Sequence, residues 1–175
     1  IRPADANETS VAWRVAIEHR TGPVALALTR QKVPLIDRKK YASAENLAKG
    51  AYILGENSKN PRIILIGTGS EVQFVLGAYE QLVKENIPAR LVSMPSWEIF
   101  EQQSKEYRDS VLSPSVKKRL AVEAGSPMGW HKYVGDGGSI LGISRFGASA
   151  PWETIYKEFG FTVDNVLKKA KEIIS

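Results

Sequence analysis

Four consecutive residues of this chain have types and a setting that could bind an anion: Gly67, Thr68, Gly69 and Ser70. They follow a predicted strand at 62–67 and begin a predicted helix, where backbone N–H groups and the helix dipole favour negative charge. The loop is therefore a candidate regulatory anion site. It lacks the third glycine of G-x-G-x-x-G and the Gly-Lys-Ser/Thr of a phosphate loop. Tight-turn glycines and a helix cap, in which Gln73 completes a capping box with Ser70, are the alternative explanation.

A second candidate is Arg30, within the sequence Thr29-Arg30-Gln31. It comes directly after the apolar run at 24–28, which predicts a strand covered on both faces. Ligands of open α/β sheets bind beyond the carboxyl ends of strands. An arginine at such a place can hold a phosphate through paired hydrogen bonds. Position and composition alone favour the alternative, a surface arginine or a salt bridge at a strand end.

The remaining polar residues point to no catalytic constellation. Asp5, Asn7 and Glu8 precede the first predicted helix, and one of them is expected to cap it. Two histidines, His19 and His131, are too few and too far apart in sequence for a multi-histidine metal site. No G-x-S-x-G motif is present, which argues against a hydrolase nucleophile. His131 could act as an acid–base group and the cluster at 5–8 could hold a metal, but packing and helix capping are the favoured interpretations. No catalytic, cofactor-binding or metal-ligating residue is therefore assigned.

Composition excludes several classes of protein. The chain has 175 residues, 43% of them hydrophobic, and a net charge of +5. Basic residues are scattered, which argues against nucleic-acid binding. Cysteine is absent, so disulfides and thiolate metal sites are excluded. No apolar run approaches the roughly 18 residues of a membrane span, and the chain does not open with a secretory signal. We therefore expect a cytoplasmic protein that contacts neither nucleic acid nor a membrane.

The elements that position these motifs alternate between helices and short apolar strands. Strand-helix alternation with short connections predicts an α/β fold, a three-layer αβα arrangement around a mostly parallel sheet. Aromatic residues are assigned to the core, with Trp97 and Trp130 as interface candidates. The predicted strands are 24–28, 62–67, 89–93, 119–123 and 140–143, and the predicted helices are 7–20, 70–85, 97–103, 105–111, 151–160 and one capped by Thr162.

Eight stretches, in this order, give the chain a resemblance to transketolases over essentially its whole length. They are IRPADANET at 1–9, GPVALALTRQ at 22–31, IGTGSEV at 66–72, ARLVSMPSWEIFEQQ at 89–103, VEAG at 122–125, GWHKYVG at 129–135, RFGASAP at 145–151 and FGFTVDNVLKKAKEI at 159–173.

The resemblance implies a division of the chain. Residues 1–36 resemble the end of the transketolase pyrimidine-binding domain, 37–50 a linker, and 51–175 the C-terminal domain. We expect partial disorder in 1–36 when the chain is isolated, because its sheet neighbours would be missing. The C-terminal domain is expected to serve packing, formation of a homodimer and regulation, with the loop at 67–70 as the place for a regulatory ligand.

The resemblance also implies a reaction. Transketolases transfer a two-carbon ketol unit from a ketose phosphate to an aldose phosphate in the pentose phosphate pathway. They use thiamine diphosphate and a divalent cation, Mg or Ca, neither of which this fragment is expected to bind. Arg30 matches the family's substrate-phosphate arginine, which reverses the preference drawn from position alone. Two alternatives stay open: a freestanding α/β regulatory module that binds a small anion at 67–70, and a relative such as dihydroxyacetone synthase.

Overall fold

A computed structural model describes residues 1–175 and contains a five-stranded sheet in the order β1-β3-β2-β4-β5. β1 is antiparallel to β3, and every other neighbouring pair is parallel. This confirms the predicted α/β fold with a mostly parallel sheet. The strands are β1 (Tyr52–Glu56), β2 (Ile63–Gly67), β3 (Ala89–Ser93), β4 (Arg119–Val122) and β5 (Ser139–Leu141). The helices are α1 (Ala6–Glu18), α2 (Val72–Lys84), α3 (Trp97–Glu101), α4 (Lys105–Val111), α5 (His131–Val134), α6 (Trp152–Glu158) and α7 (Val163–Ile174).

The central strand β2 separates two apolar cores. Every residue of Ile63–Gly67 is buried, as the continuous apolar run predicts. Because side chains alternate along a strand, Ile63 and Leu65 face α2 and α7, whereas Ile64 and Ile66 face the layer of α3, α4 and α5. Helices thus cover both faces of the sheet, which gives the three-layer arrangement.

The N-terminal segment is tied to this domain by a helix. α1 begins after Asp5, whose carboxylate accepts a hydrogen bond from the Glu8 backbone N–H at 2.9 Å, so Asp5 is the cap. Val11 and Ala12 of α1 pack against a 3-10 helix at Ala44–Lys49. The predicted linker at 37–50 therefore holds one regular element, and its role as a domain boundary stays a prediction.

The predicted strand at 24–28 is wrong. These residues are extended but belong to no sheet, because no strand of the structure lies beside them. Their backbone hydrogen bonds are with Ile1, which accepts from the Ala27 N–H at 2.9 Å and donates to the Ala25 carbonyl at 2.7 Å. Three of the five residues are exposed, in place of the expected burial on both faces. Conversely, the antiparallel edge strand β1 was not predicted.

One of two predicted helix caps differs from the structure, and the other agrees with it. The predicted capping box is wrong because the Ser70 hydroxyl donates to Glu71, while Gln73 bonds the backbone oxygen of Ser70. A 3-10 turn at Gly69–Glu71 precedes α2 instead. Thr162 caps α7 as predicted, through its hydroxyl and the Asn165 N–H at 3.2 Å.

Candidate functional site

The two predicted motifs meet at one pocket of about 370 Å³, beyond the carboxyl end of β2. One wall is the segment that carries Arg30, and the other is formed by the end of the glycine loop and by Tyr156 of α6. The polar side chains and glycine that line it are Arg2, Thr29, Arg30, Gln31, Gly69, Ser70 and Tyr156. Gly67 and Thr68 lie outside this pocket, so only half of the predicted anion loop faces it.

Arg30 is exposed, and its guanidinium makes no hydrogen bond or ion pair within the chain. Its neighbour Gln31 is anchored, since the Gln31 amide donates to Tyr156 OH at 3.2 Å and to Ser70 Oγ at 3.5 Å. An unpaired arginine beside an anchored residue presents its five N–H donors to whatever enters the pocket. The arrangement suits a phosphate or another planar or tetrahedral oxyanion.

The glycines of the loop have structural reasons that need no ligand. A Cβ on Gly67 would lie 3.1 Å from Cα of Val72, so a larger residue would require the start of α2 to shift by a few tenths of an ångström. Gly69 has φ +57°, in the left-handed region that favours glycine. The Gly69 N–H already donates to the Arg2 carbonyl at 3.0 Å. The anion site at 67–70 stays a prediction, and these contacts explain the motif without it.

A fully buried carboxylate, Glu71, lies at the centre of the wall behind the pocket. Its Oε1 accepts hydrogen bonds from Ser70 Oγ at 2.5 Å and from Tyr156 OH at 2.8 Å. Its Oε2 accepts from Arg2 Nη2 and from the Ala124 backbone N–H, each at 3.0 Å. Four donors surround one carboxylate, so the cost of burying its charge is offset by bonds to the charged form.

Tyr156 is held both by this carboxylate and by aromatic neighbours. Its ring lies 5.6 Å from Phe74, 5.6 Å from Trp152 and 5.4 Å from Phe161, between centroids. Burial, followed by the charge of Glu71, raises the pKa of Tyr156 to about 12. The phenol is therefore protonated at neutral pH and donates its hydrogen to Glu71.

Arg2 connects the N-terminal segment to the same wall. Its guanidinium bonds Glu71 and also Glu123, whose other oxygen accepts from Trp130 Nε1 at 2.5 Å. Its backbone N–H donates to the Pro95 carbonyl at 2.7 Å. Since Ile1, next to Arg2, bonds the extended segment at residues 25 and 27, Arg2 links that segment to the carboxyl ends of β2, β3 and β4.

A second buried carboxylate, Glu8, ties α1 to the sheet. It accepts hydrogen bonds from Tyr52 OH at 2.6 Å, from Ser93 Oγ at 2.8 Å and from the Ala4 N–H at 2.8 Å. Burial raises the pKa of Glu8, partly offset by these donors and by Arg38 4.0 Å away. Glu8 thus connects α1 to β1 and β3, and it does not line the pocket that contains Arg30.

Other sequence candidates lie away from the pocket. His131 is exposed at the start of α5, and His19 is exposed at the end of α1, where it contacts Thr21. Trp130 is fully buried, so its assignment to an interface is wrong; it packs edge-on against Trp97 at 5.0 Å. No group of three or more His, Cys, Asp or Glu side chains is placed to hold a metal ion. No helix has the length and apolar character needed to cross a bilayer.

Sequence reasoning missed the residues that build the wall: Arg2, Glu71, Glu123 and Tyr156. A partial signal existed in Glu71, an acidic residue directly after a Gly-Thr-Gly-Ser turn and next to the apolar face of a helix. Its partners are 69, 53 and 85 positions away in sequence, so no local pattern could pair them.

Comparison with known proteins identifies the domain that carries this wall. The family model of the transketolase-like TK C-terminal domain matches residues 50–162. The chain belongs to the transketolase C-terminal domain family. It is 52% identical to the transketolase of Geobacillus stearothermophilus over 176 residues and 49% identical to that of Aquifex aeolicus over 172 residues. These alignments cover 99% and 98% of this chain but only 26% and 25% of the two transketolases, so the chain spans about a quarter of their length.

Solved transketolase structures share this fold, and this chain again matches about a quarter of their length. A Leishmania mexicana transketolase superposes with a TM-score of 0.90 at 37% identity, over 99% of this chain and 25% of that one. A Pichia stipitis transketolase in complex with sedoheptulose-7-phosphate gives 0.88 at 40% identity, over 99% of this chain and 24% of that one. Because these superpositions cover 99% of this chain, nearly all of residues 1–36 lie within the matched region.

Proposed function

We propose that this chain acts as the C-terminal portion of a transketolase, in which Arg30 binds and orients the phosphate of the sugar substrate. The observation that carries the proposal is the exposed, unpaired guanidinium of Arg30 at a pocket whose opposite wall belongs to the transketolase C-terminal domain. The sedoheptulose-7-phosphate bound by the Pichia stipitis relative is a substrate of the matching class.

Arg30 has a binding role in this account, with no part in proton transfer. Guanidinium and phosphate form paired, charge-assisted hydrogen bonds, each contributing about 1.5–3 kcal/mol. Because the phosphate is remote from the carbons that react, these bonds hold the sugar in the orientation required for transfer. Loss of Arg30 should therefore raise KM for phosphorylated substrates and lower kcat/KM.

The remaining machinery belongs to sequence outside these 175 residues. Thiamine diphosphate supplies the carbanion chemistry of ketol transfer when it is bound, with a divalent cation of the Mg or Ca type. Since the site for both belongs to the rest of the enzyme in this proposal, the isolated chain is expected to be inactive. Its C-terminal domain serves packing and homodimer formation in a cytoplasmic enzyme of the pentose phosphate pathway.

A chimera tests this function directly. The matching quarter of Geobacillus stearothermophilus transketolase is replaced by this chain, and ketol transfer from sedoheptulose-7-phosphate to an aldose phosphate is measured. We expect transfer by the chimera and none by the isolated chain. Tight binding of thiamine diphosphate by the isolated chain would refute the proposal.

The alternative, a freestanding module that binds a small anion at 67–70, makes a different prediction. It requires phosphate or a nucleotide to raise the melting temperature of the isolated chain in a manner that depends on Ser70. We expect no such stabilisation, since the Ser70 hydroxyl is committed to Glu71 and the Gly69 N–H to Arg2.

A further inference from the structure

The segment that carries Arg30 has few attachments of its own. Residues 19–35 contain no helix or strand, and from residue 28 to residue 35 no backbone hydrogen bond holds the chain. The segment is attached at one end by Ala27, which bonds Ile1, and at the other by Ile36, whose N–H donates to Asp5 at 3.0 Å. Between these ends, the hydrogen bonds to the rest of the molecule come from the Gln31 side chain.

The direction of the hydrogen bonds around Gln31 is determined by Glu71. A carboxylate only accepts, and Glu71 Oε1 lies 2.5 Å from Ser70 Oγ and 2.8 Å from Tyr156 OH, closer than the 3.0 Å between the two hydroxyls. Both hydrogens therefore point at Glu71 Oε1. The lone pairs of those two hydroxyls then face the Gln31 amide, which must present its NH2 group to them. The chain of bonds Gln31 to Tyr156 to Glu71 therefore has one orientation, and it orients the residue next to Arg30.

We propose that Tyr156, oriented by the buried carboxylate of Glu71, is a positioning residue that holds Gln31 and thereby places the Arg30 guanidinium for the substrate phosphate. The inference rests on the proposed function of Arg30 and adds a C-terminal-domain residue to it. It also gives that domain a specific part in substrate selection: it sets the preference for phosphorylated over unphosphorylated sugars without contacting the reacting carbons.

The test uses the chimera described above and one ratio, kcat/KM for sedoheptulose-7-phosphate divided by kcat/KM for sedoheptulose. Tyr156→Phe keeps the aromatic contacts and removes only the hydroxyl. Gln31→Leu removes the other end of the same bond at a position outside any helix or strand. We expect each variant to lower the ratio about tenfold, mainly through KM for the phosphorylated sugar. A 1 Å misplacement can cost about 100-fold, and these variants loosen Arg30 without removing it. The double variant should lose no more than either single one.

Two further variants make failure informative. Tyr107→Phe is the matched control, since Tyr107 OH donates to Ala51 O at 2.9 Å on the opposite side of the sheet, and its ratio should equal that of the parent chimera. Arg30→Ala tests the function on which the inference rests.

If Arg30→Ala lowers the ratio while Tyr156→Phe or Gln31→Leu behaves like Tyr107→Phe, the positioning role is refuted and the function of Arg30 stands. If Arg30→Ala leaves the ratio unchanged, both fail. An equal loss on both sugars in Tyr156→Phe would show a merely structural role and refute the inference.

Discussion

Replacement of Glu71 by Gln should strongly destabilise the chain, because this carboxylate is fully buried and has a donor at each of four positions. A glutamine side chain keeps one accepting oxygen for Arg2 and the Ala124 N–H, and its NH2 group then faces the Ser70 and Tyr156 hydroxyls, which must turn to accept. All four bonds lose their charge assistance, and Arg2 keeps only Glu123 as an ionic partner.

The magnitude follows from these losses. Hydrogen bonds that involve a charged group contribute about 1.5–3 kcal/mol each, and breaking a buried ion pair costs about 3–5 kcal/mol. The two figures describe the same lost contacts, so we expect the free energy of unfolding to fall by about 4 kcal/mol. For a chain of this size, about 2–4 °C per kcal/mol applies, which lowers the melting temperature by about 8–16 °C.

Urea unfolding followed by tryptophan fluorescence measures this change, since Trp130 lies against Glu123 at the edge of the network. The matched control is Glu85→Gln, whose partner Lys171 and whose own side chain are each 43% exposed. That exposed pair should contribute about 0–1 kcal/mol. The reasoning would be refuted if Glu71→Gln destabilised the chain no more than Glu85→Gln does. It would also be refuted if the losses in free energy of unfolding caused by Glu71→Gln and Arg2→Met were fully additive in the double variant.

Three other perturbations test separate parts of the structure. Burial raises the pKa of Glu8 above its ordinary 4.5, so the folded chain holds this proton more tightly than the unfolded chain does. The free energy of unfolding of the parent chain, relative to that of Glu8→Gln, should therefore fall as the pH rises above about 4.5. A rise with pH in denaturation experiments would contradict this. Gly69→Ala should lower the free energy of unfolding in urea by about 1–2 kcal/mol because φ at Gly69 is +57°. Gly147→Ala is the control and should be near neutral, since there is open space at its Cβ. Equal effects of the two substitutions would argue against strain at Gly69. Limited trypsin digestion should cut first within 19–35 and leave a resistant C-terminal fragment, since this stretch lacks regular structure; first cuts within 63–93 would contradict the attachments described.

The sheet and its covering helices could be predicted because their signals are local. The apolar run at 62–67 and the helical spacing of Val72, Val75 and Leu82 identify β2 and α2 without any long-range information. The edge strand β1 was not predicted because Gly55 interrupts its apolar run and because its irregular antiparallel pairing with β3 has no local sequence signal. The run at 24–28 has the composition of a buried strand, but composition does not show whether a neighbouring strand exists.

The candidate site was predictable only in part. The phosphate-binding role expected for Arg30 follows from its residue type and from the resemblance, whereas its place beside Gly69 and Ser70 was not predicted. The contacts that hold Arg30 in place could not be predicted, because Arg2, Glu71 and Tyr156 lie far apart in sequence and meet only in the folded chain. The sequence also attributed a cap to Ser70, whereas its hydroxyl serves the buried carboxylate beside it.

The most direct test of the central claim is the kinetics of Arg30→Ala in the transketolase chimera. Arg30 is exposed and unpaired within the chain, so its removal should leave the melting temperature unchanged. Loss of even one charge-assisted hydrogen bond to the phosphate should lower kcat/KM for sedoheptulose-7-phosphate about 10- to 100-fold, while kcat/KM for sedoheptulose stays at the parent value. Equal kcat/KM values for the phosphorylated sugar in the parent chimera and in Arg30→Ala would contradict the claim that this residue holds the substrate phosphate.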